Sequence, residues 1–218
     1  MSKTIAILIT SYNRIYFTSK CVKNLLDFDI NLDIFLVDDN STDGTSSFIL
    51  QNYPQVNLIK GSGNLFWTRG MNKAWKEASN YNYDYYVWLN DDVFLSSNAF
   101  SEIFEVSSIY DNKSIISGII QSNNGEILYG GSDVNKVLIK PNGKPQNIKY
   151  LNGNFVLIPK VVFETIGFFD EVFHHDLGDV DYGLQAQLKK IEVKSTRHAI
   201  GIGSENNICR IRKNNSNI

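Results

Sequence analysis

The chain has 218 residues, 43% of them hydrophobic, enough for one sizeable core and one domain. Its 21 Lys plus Arg stand against 23 Asp plus Glu, a formal charge of -2, and this balance speaks against nucleic acid as a partner. Cys21 and Cys209 have neither the density of a disulfide scaffold nor zinc-site spacing, and no apolar run reaches signal-peptide or transmembrane length, so a cytoplasmic protein with reduced thiols is expected.

In chain order, Ile5 to Ile9 is a continuous apolar run, the pattern of a strand buried on both faces. Phe17, Cys21, Val22, Leu25 and Leu26 recur at helical spacing. Asp33 to Val37 reads as a second buried strand, Asp39 to Gly44 as a turn cluster and 45–52 as a short helix. Val56 to Ile59 is a third strand. Met71, Ala74, Trp75 and Ala78 then mark an amphipathic helix. Tyr85 to Leu89 is a fourth strand ending at Asn90. Phe100, Ile103, Phe104 and Ser107 mark the next helix, with Ser97 as its candidate cap. Ile115-Ile116 opens another strand. Residues 121–150, with Asn-Gly at 124–125 and 142–143, read as a hairpin or loop excursion. Phe155 to Ile158 is a strand, a short helix precedes Gly167, and a helix at about 180–190 carries Leu184 and Leu188. The order is α/β with a mostly parallel central sheet flanked by helices. Residues 205–218 form a polar, Asn-rich tail, natural or truncated.

Open α/β sheets bind ligands beyond the carboxyl ends of their strands. Four polar motifs fall there: Thr10-Ser-Tyr-Asn-Arg14, Asp38-Asp39, Gly61-Ser-Gly-Asn64 and Asn90-Asp91-Asp92. Together they suggest one cleft. The adjacent acids Asp91 and Asp92 repel each other, and a hard cation such as Mg2+ or Mn2+ would relieve that, although a solvated loop has the same composition. Asp38-Asp39 suits either a nucleobase or ribose, or plain turn chemistry. Gly61-x-Gly63 fails as a dinucleotide fingerprint, since Phe66 holds the third glycine position and the motif follows the third strand. Arg69 could meet a phosphate or lie on the surface. Farther on, His174-His175 lacks a third ligand at zinc spacing. A carboxylate among Asp176, Asp179 and Asp181 could act as a general base, and residue chemistry alone leaves the three equal.

Taken together, Thr10 to Arg14, Val37 to Gly44, Gly63-Asn64 with Gly70 and Asn72, Trp88 to Asp92, Asn152-Gly-Asn154, Phe169 to Glu171 and Gly178 to Gly183 resemble the family 2 glycosyltransferases. The likeness runs from Ile5 to about Gly203 and is nearest to bacterial members that build surface polysaccharides, rhamnosyltransferase-like proteins among them. It implies the GT-A fold of nucleotide-diphospho-sugar transferases and an inverting, metal-dependent reaction. Residues 1–204 would be the catalytic domain, with 1–118 mainly binding the nucleotide sugar and 119–204 supplying the acceptor side and base.

The resemblance also implies roles. Thr10, Ser11, Tyr12, Arg14, Asp38 and Asp39 would hold the nucleoside, Asp39 its base. Asn64, Arg69 and Asn72 would line the donor pocket. Asn90 heads the Asp-x-Asp position, Asp91 would face ribose or sugar, and Asp92 would hold Mn2+ or Mg2+. Gly153 matches an acceptor subsite and Asp179 the catalytic base. His198, near the end of the last predicted strand, would either approach the metal or be structural. The implied partners are a UDP-, dTDP- or GDP-linked sugar and a saccharide or lipid-linked saccharide acceptor, with peripheral contact at the inner membrane face.

Two departures stand out: Gly178 where the family has Glu, and Gln185 where many relatives carry Arg. They motivate a rival reading, a nonenzymatic GT-A-like partner in a polysaccharide assembly complex. A nucleotidyltransferase would need a glycine-rich basic loop after the first strand, which Tyr12-Asn-Arg14 does not supply.

Overall fold

The alternation of the first strand divides the interior into two cores. In the computed structural model, which describes residues 3–174 and 176–203, β1 (Ile5–Ser11) sends Ile5, Ile7 and Ile9 to one side and Ala6 and Leu8 to the other. Neither face of the strand meets water, which explains its unbroken apolar run.

The first side is covered by α1 (Ile15–Leu26), α2 (Thr45–Asn52) and α4 (Ala99–Ile109), whose Cys21, Val22, Leu25, Ile49, Phe100 and Ile103 join Ile5, Ile7 and Ile9. The second is covered by α3 (Phe66–Ala78), α5 (Lys160–Ile166) and α6 (Gly178–Leu188). Trp75 of α3 is fully buried there, with Trp88 at 5.4 Å, Tyr182 at 5.5 Å and Phe169 at 5.6 Å between ring centroids.

The described residues form a nine-stranded sheet. Its other strands are β2 (Leu32–Asp38), β3 (Asn57–Lys60), β4 (Tyr85–Leu89), β5 (Val93–Leu95), β6 (Ile115–Gln121), β7 (Ile127–Tyr129), β8 (Phe155–Pro159) and β9 (Val193–Gly203). The order is β3-β2-β1-β4-β8-β6-β9-β5, with β7 paired to β6. The run β3-β2-β1-β4 is parallel, as is β6-β9; β8 and the edge pieces run antiparallel. The chain leaves β1 toward β2 and β3, then crosses back to β4 on the other flank of β1. That reversal opens a crevice at the carboxyl ends of β1 and β4.

The expected elements are present, with four differences. β5 forms directly after the Asn-Asp-Asp motif and pairs with β9, a long-range pairing that a three-residue run cannot announce. The residue before α4 is Asn98, not Ser97, and its side-chain oxygen is taken by the Ser96 hydroxyl at 2.8 Å. On α6, Tyr182, Gly183 and Ala186 are buried while Leu188 is exposed. β9 continues to Gly203, so His198 lies inside it rather than near its end. The stretch 121–150 is the expected excursion: β7 folds back on β6, and Ser132 bridges to Leu138 and Tyr150. The tail at 205–218, Cys209 and His175 lie outside the described residues. Among the described residues no helix is long and apolar enough to cross a membrane.

α3 lies so close to β1 that a Cβ at Gly70 would sit 2.2 Å from the Thr10 Oγ1. Gly70→Ala should therefore destabilise the fold by about 1–3 kcal/mol through overpacking. A urea midpoint equal to that of the unchanged protein would refute this close approach.

Candidate active site

The four polar motifs meet at the crevice. The backbone joins the first three: Asp39 N–H donates to the Ser11 carbonyl at 2.8 Å, and Gly61 N–H to the Asp38 carbonyl at 2.7 Å. The turn after β2 also caps α1 from outside. The Asp43 carboxylate accepts the Ile15 N–H at 2.9 Å, satisfying one of the free donors at a helix start whose own Arg14 makes no cap bond.

Asp38 and Asp39 are both buried and both carry internal tasks. Asp38 accepts the Ser41 N–H at 3.0 Å and the Ser46 hydroxyl, the turn chemistry expected of Asp. Asp39 accepts three backbone N–H groups, from Gly63 at 2.7 Å, Leu65 at 2.9 Å and Phe66 at 3.3 Å. It shapes the loop that leads into α3. Exposed Asn64 sits within that loop.

The fourth motif centres on Arg14. Its Nε lies 3.1 Å from Asp91 Oδ1 and its Nη2 lies 2.8 Å from Asp92 Oδ2. Asp91 is 4% and Asp92 2% exposed. Asp91 Oδ2 accepts the Thr18 hydroxyl at 2.9 Å, and Thr18 is 2.7 Å from the Ser11 hydroxyl. Burial pushes the Asp91 carboxyl up to about 6, with Arg14 pulling it down and Asp92 adding to the rise. Burial works against the Arg14 charge as well, yet Asp91 and Asp92 hold it above its ordinary range. The expectation that Asp91 faces a donor is thus not met: both its oxygens turn inward. Arg14, expected on the nucleoside, turns to the acid pair.

Asn90 also differs from expectation. Its Oδ1 accepts the Trp67 indole N–H at 2.7 Å, and its Nδ2 donates to Asn154 Oδ1 at 2.6 Å. Its backbone N–H reaches the Asn154 carbonyl at 2.9 Å. The side chain is committed to the protein, not to a ligand.

The half-buried Asp179 stands in the first turn of α6. Its Oδ2 accepts the Gly153 N–H at 2.7 Å and its Oδ1 the Val180 N–H at 2.9 Å. Burial raises its carboxyl above the ordinary carboxylate range, against the pull of these N–H groups. Gly153 lies under Trp67, whose ring would be 2.4 Å from any Cβ there. Of the three acids left equal by sequence, Asp179 is tied by its carboxylate to the 152–154 loop, while Asp181 meets Gln185 at 3.5 Å.

Arg69 donates to the Glu171 carbonyl at 3.2 Å, bridging α3 to the loop before α6. Buried Asn72 donates to the Phe169 carbonyl at 3.4 Å, and its Oδ1 has no hydrogen-bond partner among the described residues. Thr10 packs on Gly70, and Tyr12 is half-buried beside it in sequence. His198 is exposed in a bulge, since β6 advances two residues from Ser117 to Ile119 while β9 advances four from Ser195 to Ala199. It faces Glu102 of α4: burial works to raise that carboxyl, but Arg197 and the nearby His198 hold it below its usual value. Val93 pairs with Gly203, so His198 lies five residues from the level of the acid pair, roughly 15 Å along a strand. Of the two readings of His198, the structure places it beside α4 rather than beside the acid pair.

Sequence reasoning missed Thr18 and Trp67, and it quoted Asn154 within the 152–154 motif without giving it a role. Thr18 was detectable as a hydroxyl four residues after Arg14 on one helix face; nothing local marks Trp67. Among the described residues, no three His, Cys, Asp or Glu side chains converge as a metal site. A hard cation would have Asp92 from this set, and its remaining ligands would be diphosphate and water oxygens, the usual manner of holding Mg2+.

A family model described as "Glycosyl transferase family 2" matches residues 6–169. The N-acetylglucosaminyl-diphospho-decaprenol L-rhamnosyltransferase of Mycobacterium tuberculosis is 20% identical over 185 residues, covering 70% of this chain and 60% of that protein. S. aureus TarS 1-349 in complex with UDP-GlcNAc superposes with a TM-score of 0.69 at 14% identity, over 93% of this chain and 58% of that one. The mannosyltransferase PcManGT from Pyrobaculum calidifontis, in complex with GDP-Man and Mn2+, gives 0.68 at 14% identity, over 97% and 61%. The chain thus spans about three-fifths of these relatives, and the structural likeness establishes the GT-A type of α/β fold.

Removing the Arg14 guanidinium strands two buried carboxylates. Arg14→Met should destabilise the protein by about 3–5 kcal/mol, and Asp91→Asn in the same chain should restore part of that. Additive losses in the double variant, measured by urea unfolding, would contradict the ion-pair account.

Proposed function

Because the chain belongs to glycosyl transferase family 2, we propose that it moves a sugar from a nucleotide-diphosphate sugar to a hydroxyl of a saccharide acceptor, with inversion at the anomeric carbon. The observation that carries this reading is Asp179. It is a half-buried carboxylate with a raised pKa, fixed by the Gly153 N–H, and Trp67 and Asn90 link its loop to the acid pair at the end of β4.

Asp179 takes the proton of the acceptor hydroxyl as that oxygen attacks the anomeric carbon. The bond from that carbon to the diphosphate breaks, and the nucleoside diphosphate leaves with the electron pair. Each Asp179 oxygen accepts one backbone N–H and keeps a second lone pair for the proton. The crevice between β1 and β4 takes the donor, with Thr10, Ser11, Tyr12, Asn64 and Asn72 along it and Asp39 shaping its base-side loop. Mn2+ or Mg2+ held at Asp92 would supply positive charge to the leaving diphosphate.

UDP-GlcNAc on TarS and GDP-Man with Mn2+ on the mannosyltransferase support a nucleotide-sugar donor and a divalent cation. The N-acetylglucosaminyl-diphospho-decaprenol L-rhamnosyltransferase supports a lipid-linked saccharide acceptor; work at the inner membrane face in bacterial surface-polysaccharide synthesis belongs to the same proposal. The nonenzymatic reading rested on Gly178 and Gln185, and the first of these has a packing reason: a Cβ at Gly178 would lie 2.5 Å from Thr68 Cγ2.

A panel of UDP-, dTDP- and GDP-sugars, titrated with and without Mn2+, should give saturable binding of one donor that depends on the metal and is lost in Asp92→Ala; binding that survives that substitution unchanged would remove Asp92 from the metal. Asp179→Asn should cut transfer at least about 100-fold while donor affinity holds, and transfer at full rate would overturn the base. Since Asp179 must be ionised to accept the proton and its carboxyl is raised, kcat should fall on acidification at a pH above the ordinary carboxylate range. A limb within the ordinary range would contradict that environment.

A further inference from the structure

Asn90 occupies the position at which the resemblance led one to expect a donor contact, yet each polar group of its side chain is met by the protein. The indole of Trp67 donates to its Oδ1 and its Nδ2 donates to Asn154, whose own Nδ2 donates to Asn152. Its backbone N–H adds the Asn154 carbonyl. Asn154 is buried and Asn90 half-buried, so these bonds are largely shielded from competing water.

The same network closes around Gly153. Asn152 and Asn154 flank it, and Trp67 Cη2 lies where a Cβ of Gly153 would come within 2.4 Å. The Trp67 ring is itself wedged by Trp88 at 6.2 Å and Phe169 at 5.6 Å. The indole N–H reaching Asn90 fixes the rotation of the ring, and the ring fixes the height of the Gly153 backbone. The one outward product of this arrangement is the Gly153 N–H, aimed at Asp179 Oδ2.

We propose that Asn90 is a positioning residue for Asp179: through Trp67 and Asn154 it holds the Gly153 N–H on the Asp179 carboxylate, coupling the acid cluster at the end of β4 to the base on α6. Its catalytic meaning rests on the reading of Asp179 as the base. An amide suits the position because it must accept from an indole and donate to a side-chain oxygen at once; a carboxylate offers only acceptors. A third acid beside Asp91 and Asp92 would add another buried charge to a pair neutralised by one guanidinium.

The test uses Asn90→Ala, the conservative Trp67→Phe, which keeps the ring and removes its N–H, and Asp179→Asn. Amide hydrogen exchange at Gly153 is read by NMR, binding of UDP, dTDP and GDP in Mn2+ by calorimetry, and the kcat–pH profile in the active proteins. In Asn90→Ala and Trp67→Phe, protection of the Gly153 amide should drop about tenfold, the worth of one buried hydrogen bond. Nucleotide affinity should stay within about twofold, a change well under 1 kcal/mol. The acidic limb of kcat should move to higher pH, because a carboxylate that loses an N–H donor is less stabilised when ionised. Unchanged Gly153 protection and an unmoved limb would overturn the proposal, and so would a loss of nucleotide binding with both unmoved, which would make Asn90 a donor ligand. Full-rate transfer by Asp179→Asn would instead sink the base assignment, leaving the exchange result to judge the network alone.

Discussion

The site depends first on one guanidinium. Asp91 and Asp92 are adjacent in sequence, both buried, and placed at the end of a strand covered on both faces. Two carboxylates in that position repel each other and lose their hydration. Arg14 arrives from the end of β1, across the crevice opened by the reversed strand order, and meets both. Its own place is set by the start of α1, where Asp43 from the next turn accepts the Ile15 N–H. Thr18, one helical turn later, brings a hydroxyl to the remaining Asp91 oxygen. The acid pair, the first helix and the turn after β2 therefore form one electrostatic unit.

A second constraint is the first turn and a half of α3. Three close contacts tie this helix to different parts of the molecule: Trp67 to Gly153, Thr68 to Gly178 and Gly70 to Thr10. In each, a glycine lets a side chain come closer than any Cβ would allow. α3 begins where Asp39 gathers the N–H groups of Gly63, Leu65 and Phe66, so the acid after β2 controls how the helix sets out. The end of β1, the 152–154 loop and the start of α6 with Asp179 are thereby held to a single short piece of helix. The buried aromatic group of Trp75, Trp88, Phe169 and Tyr182 backs that piece and resists its sliding.

Periodicity made much of this legible. β1, β2, β4 and β8 are buried on both faces and read as unbroken apolar runs, while α1 and α3 carry their buried residues at helical spacing. β5 was illegible because its existence depends on β9, about a hundred residues away. His198 was misplaced for a related reason: the bulge at Thr196–His198 is stabilised by Arg197 with Glu102 and by Thr196 donating to the His198 carbonyl, neither of which the strand's own pattern contains. Within the site, sequence brought the right motifs together but could not orient them. Asn90, Asp91 and Asp92 are neighbours along the chain, yet one faces Trp67 and Asn154, one faces Thr18 and Arg14, and one meets the far end of the same Arg14. Direction after a strand end is decided by distant partners, and these were invisible.

The same reasoning changes the meaning of this chain's departures from the family pattern. Gly178 looks like a lost side chain beside the candidate base. In the folded chain it is one half of a contact, because a Cβ at 178 would fall 2.5 Å from Thr68 Cγ2 and 2.6 Å from its Oγ1. Thr68 is 1% exposed and sits on the helix held by Asp39, Gly70 and Trp67, so it cannot withdraw to make room. Any side chain at 178 would push the start of α6 outward, and Asp179 is the next residue. Its carboxylate would then leave the Gly153 N–H, the bond that aims it. Glycine here keeps Asp179 in register with the 152–154 loop, and the departure has its packing counterpart in Thr68.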